Sequence, residues 1–127
     1  MSSPQGGAAS SDRALARIRI DARFAVLRAN RSAAAVPHGG WIRAIRQSLG
    51  MSLDGLAERL AVSRSSAARL ESSEQRETLQ LDTLRRAAEA LGCELAYVLI
   101  PKRPLQEMVE LQRAAMVQQL NAKVHTH

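Results

Sequence analysis

The sequence predicts an all-α fold: a bundle of short helices flanked by one longer helix on each side. Three observations lead there. Residues 51–71, MSLDGLAERLAVSRSSAARLE, hold two helical patterns back to back, each opened by a serine. Apolar residues recur at helical spacing before and after this stretch, at Trp41, Ile42, Ile45 and Leu49 and again at Leu81, Leu84, Ala88 and Leu91. Gly50 and Gly92 follow those two patterns, where glycine commonly ends a helix.

The elements follow in order. Residues 1–11, rich in Ser, Gly and Ala, read as a disordered tail. Residues 12–31 form an Arg-rich segment. Leu15, Ile18, Ala22 and Ala25 fit one helix face, whereas Ile18, Ile20, Ala22, Phe24 and Val26 alternate as a strand would. Length and alanine content favour helix. Residues 32–40, with Pro37, Gly39 and Gly40, read as a linker, and residues 41–92 as the central domain.

Within that domain a first helix covers Trp41 to Leu49. Ser52 caps a second helix and Ser63 a third, because a serine hydroxyl at an N-cap accepts a bond from an unpaired backbone N–H. The tight link at Ala61 and Val62 makes the pair a helix-turn-helix, whose second helix commonly enters the DNA major groove. Its outward positions are Arg64, Ser65, Ala68 and Arg69, donor-bearing or small residues and none acidic. Residues 72–80 read as a polar loop, and a fourth helix runs from Leu81 to Leu91. CELAYVLIP, residues 93–101, reads as a short strand, with another copy of the chain or residues 17–24 as its partner. Residues 105–123 read as a final helix with Leu105, Met108, Val109, Met116 and Leu120 as its apolar stripe, so that 93–123 is the expected dimer or partner surface and 124–127 a tail.

Composition narrows the function. The 127-residue chain carries 18 Lys+Arg against 12 Asp+Glu, a net charge of +6, which suits a nucleic-acid partner because phosphate neutralisation releases counterions. Aromatic residues make up 2%, too few for a platform that stacks single-stranded bases, which argues against single-strand and RNA-loop readers. Cys93 is the lone cysteine, so neither an internal disulfide nor a multi-cysteine zinc site is expected. Cys93 has no convincing histidine partner, since His38 lies in the linker and His125 and His127 in the tail. No catalytic constellation, cofactor motif or metal site is read. No apolar run reaches the ~20 residues of a membrane span, and the N-terminus lacks the apolar centre of a signal peptide. A cytoplasmic protein is the simplest reading.

Residues 41–92 resemble the Cro/phage-repressor (XRE-type) family in the order of elements, in the stretch LAERLAVS and in the placement of Glu71. The resemblance implies a lambda-repressor-like bundle. It places Arg64, Ser65, Ala68 and Arg69 at base edges and Ser52, Ser72 and Arg76 at phosphates. It also makes Arg46 and Glu71 a structural ion pair. Four positions depart from the family pattern: Leu53 where glutamine is usual, Gly55 inside a helix, Ala67 where a branched residue is usual, and Glu77 where glycine is frequent. More narrowly, GWIRAIRQSLGMSL and LRRAAEALGCELAYVLIPK resemble the mobile mystery protein A group. Its members are typically encoded beside a Fic-domain protein, mobile mystery protein B. The expectation is a homodimeric, DNA-binding transcriptional regulator that represses its own operon. The alternative is an antitoxin-like protein that restrains a Fic-domain enzyme.

Overall fold

The computed structural model describes residues 5–125, with side chains over 10–124; the ends of both expected tails, 1–4 and 126–127, lie outside. Six α-helices follow one another: α1 Gln5–Ala29, α2 Trp41–Ser48, α3 Leu53–Leu60, α4 Arg64–Gln75, α5 Leu81–Ala90 and α6 Leu105–His125. A 3-10 turn, Arg31–Ala34, follows α1. The chain forms two compact units, one of residues 35–98 and one joining 1–34 to 99–127.

The 35–98 unit holds the core. Ile42, Leu56, Ala57, Ala67, Ala87 and Leu91 are buried, and Ile45, Met51, Leu53, Leu60, Leu79, Leu84, Ala90 and Cys93 pack against them. Three of the six buried residues are alanines, so the helices here meet through small side chains. Ala67, on α4, is fully buried. Trp41 and Leu49, expected on the buried side of the first helix, are 39% and 57% exposed. Ile42 and Ile45 carry that face instead.

In the second unit α1 is helical throughout residues 17–24, which removes the strand alternative for this segment. Polar contacts tie it to α6 and to the segment before α6. The Asp21 carboxylate accepts from the backbone N–H groups of Leu105 (2.7 Å) and Gln106 (3.2 Å), capping the start of α6. Arg17 Nε donates to Gln106 Oε1 and Arg28 Nε to the Pro101 carbonyl, each at 3.0 Å.

Four expectations are corrected. Residues 5–11 are helical rather than disordered: Ala8 and Ala9 extend a helix already nucleated downstream, and each added residue gains a backbone bond. Residues 93–101 form no strand, and there is none among the described residues. The internal partner proposed for that strand, 17–24, is part of a helix, and a single strand cannot satisfy its own edges. The polar loop is shorter than 72–80, because α4 continues through Gln75. The C-terminal helix reaches His125, so the tail does not begin at 124.

Candidate nucleic-acid interface

The helix-turn-helix is built by two hydroxyl caps and one left-handed residue. Ser52 Oγ accepts from Gly55 N at 3.0 Å, and Ser63 Oγ accepts from Ser66 N at 3.1 Å. Between them Ala61 ends α3 at φ 55°, ψ 42°, and the chain reverses over Ala61, Val62 and Ser63. Glycine usually takes this position, since a Cβ crowds the backbone in the left-handed region. Ala61→Gly is therefore expected to raise stability by ~1 kcal/mol or less, read as a higher urea midpoint with unchanged m. Glu77, at φ 58°, is a second non-glycine residue in this region. Its conformation is a physical reason for glycine at that position in the family pattern.

Two carboxylates of α4 fix that helix on α2. Glu71 is 7% exposed. Its Oε2 lies 2.6 Å from Arg46 Nε and its Oε1 3.2 Å from Arg46 Nη2, a two-pronged pair, while Arg46 Nη1 donates to the Met51 carbonyl at 2.9 Å. A planar guanidinium and a carboxylate match in this fork geometry. One turn further on, Glu74 accepts from Trp41 N through Oε2 and from Ile42 N through Oε1, both at 2.8 Å. These N–H groups open α2 and have no partner within it. Gly40, the residue before α2, has no side-chain cap of its own. A Cβ built on Gly40 would stand 2.8 Å from Glu74 Oε1, so its missing side chain makes room for the carboxylate.

With α4 held at one face, the opposite face, at Ser65 and Arg69, and the N-terminal end, at Arg64, are open. Arg64 and Arg69 are exposed, as is Ser65, while Ala68 is half-buried. Arg64 Nε lies 3.9 Å from Asp54 Oδ1, both side chains about 70% exposed, a weak contact in water. Arg69 Nη2 reaches Ser66 Oγ at 3.4 Å, and Ser63 Oγ contacts both Ser65 Oγ and Ser66 Oγ. Ser52 and Arg76 are exposed and Ser72 is half-buried; Ser52 opens α3, and Arg76 follows the last turn of α4. The three cations at Arg64, Arg69 and Arg76 are thus free to meet an external acceptor.

Glu74 and Gly40 escaped the sequence reading. The sequence signal was slight: a glycine before the first helical residue, and a glutamate three positions after Glu71.

Among the described residues, no helix is long and apolar enough to cross a membrane, and no group of three His, Cys, Asp or Glu is placed to hold a metal ion. Compared with known proteins, residues 42–98 match the family model described as Helix-turn-helix. No curated protein and no solved structure matches the chain. By element order, turn and match alike, residues 42–98 form a helix-turn-helix domain.

Proposed function

We propose that this protein binds duplex DNA sequence-specifically through α4 and regulates transcription by occupying its site. The observation that carries this reading is the division of α4 into two faces. One face is tied to α2 through Glu71 and Glu74; Ser65 and Arg69 lie on the side away from it, half-buried Ala68 lies between, and Arg64 stands exposed at the N-terminal end, two turns before Glu71. A rigidly held helix with exposed arginines can enter the major groove, where an arginine fork pairs with guanine O6 and N7. In this reading Ser52, Ser72 and Arg76 contact phosphates, which would set register rather than sequence. A homodimer fits this use, because two recognition helices one DNA turn apart read a longer, palindromic site. The apolar stripe of α6 is open to a partner copy, with Met116 64% and Leu120 58% exposed. Repression of its own operon is the finer form of the proposal.

Selection of bound duplexes from a random library tests the reading, followed by gel shifts on the DNA upstream of the gene. We expect an enriched, two-fold symmetric sequence that recurs upstream. A pool with no enriched sequence would overturn specific recognition. Arg76→Ala should weaken all duplexes about equally and lower the salt slope by about 0.9.

A further inference from the structure

The net charge of +6 is not on the helix-turn-helix. The 35–98 unit holds eight arginines against eight Asp+Glu and is neutral overall. The other unit holds ten Lys+Arg against four Asp+Glu, so the whole excess sits there. A neutral recognition unit gains little from the long-range field of a polyanion, since attraction at a distance follows summed charge.

Several cations of the basic unit are available. Of the arginines in α1, Arg17 and Arg28 are occupied by Gln106 and Pro101. Arg13, Arg19 and Arg23 are exposed and in no ion pair among the described residues, as are Arg31 and Lys102. Arg19 and Arg23 are four residues apart and therefore neighbours on one side of the helix. Asp21, which would oppose them, is turned into the cap of α6.

We infer that α1 is a second DNA-contacting element, with Arg13, Arg19 and Arg23 binding backbone phosphates without regard to sequence. The inference rests on the duplex-DNA reading above and adds a division of labour. The 35–98 unit chooses the site and makes its own phosphate contacts; the basic unit adds further counterion release and the net positive charge that draws the protein to DNA. Duplex DNA is favoured over an anionic lipid surface because the same chain carries a recognition helix that lacks its own net charge.

The test compares the full-length protein with the triple variant Arg13→Gln, Arg19→Gln, Arg23→Gln. Glutamine has nearly the helix propensity of arginine, so α1 should persist, as circular dichroism would verify. Fluorescence anisotropy measures binding to a selected and a scrambled duplex over about 50–200 mM salt. The slope of log affinity on log salt should fall by about 0.9 per contact removed, hence by roughly 2–3. Affinity for both duplexes should drop together, leaving their ratio unchanged. An unchanged slope would overturn the inference. So would a variant that keeps its DNA slope but loses co-sedimentation with phosphatidylserine-containing vesicles. If the wild type shows no site preference but its slope still falls in the variant, the basic helix stands and the recognition reading fails.

Discussion

Glu71→Ala should lower the stability of the 35–98 unit by ~3–5 kcal/mol, because it strands the guanidinium of Arg46 in a site where that side chain is 12% exposed. The loss comes less from the missing attraction than from a charge left desolvated without its partner. Urea unfolding followed by circular dichroism measures it directly. Replacing both residues together, as Arg46→Met with Glu71→Leu, should recover much of the loss, since removing both charges leaves neither unpaired. A Glu71→Ala protein as stable as the parent would show that the pair contributes nothing to folding.

The second large effect is expected at Gly40. Gly40→Ala forces a Cβ to within 2.8 Å of Glu74 Oε1 on a backbone with φ 94°. The carboxylate is the far end of a flexible chain and can swing away, but it then abandons the N–H groups of Trp41 and Ile42. Losing hydrogen bonds to a charged acceptor costs ~1.5–3 kcal/mol, and the positive-φ, extended-ψ backbone at Gly40 (φ 94°, ψ 165°) adds ~1–3 kcal/mol for a residue with a Cβ. Glu74→Ala removes the hydrogen bonds alone and should cost less. The difference between the two variants isolates the backbone term. If Gly40→Ala unfolded at the same urea concentration as the parent, the latch between α4 and α2 would carry no stability.

These two positions also show what the sequence could and could not display. The helices of the 35–98 unit were legible because their signals are local. Ser52 and Ser63 cap helices that start one residue later, and apolar residues at three- and four-residue spacing mark the inward faces. The Glu74 latch joins residues more than thirty positions apart, and no local pattern announces it. The true length of α4 was hidden for the same reason: Ser72, Ser73 and Gln75 look like loop, yet Glu74 is held by α2 and keeps the last turn in place. Residues 93–101 misled in the opposite way. Their β-branched and aromatic content is a real local preference, but a strand needs a neighbour, and the candidate segment 17–24 is committed to α1. Total charge was plain from composition; its confinement to one unit became visible only when α1 and the C-terminal segment were found to share that unit.

The central claim is that α4 reads bases with its exposed N-terminal end, at Arg64, and with the face opposite Glu71 and Glu74, at Arg69. Its most direct measurement is the sequence preference of Arg64→Ala and Arg69→Ala, each selected against the same random duplex library as the parent. Each variant should bind the parental site ~1–3 kcal/mol more weakly and lose preference at one base position per half-site, with the remaining positions unchanged. Parental preference retained in full by both variants would contradict the claim and place the base-reading surface elsewhere.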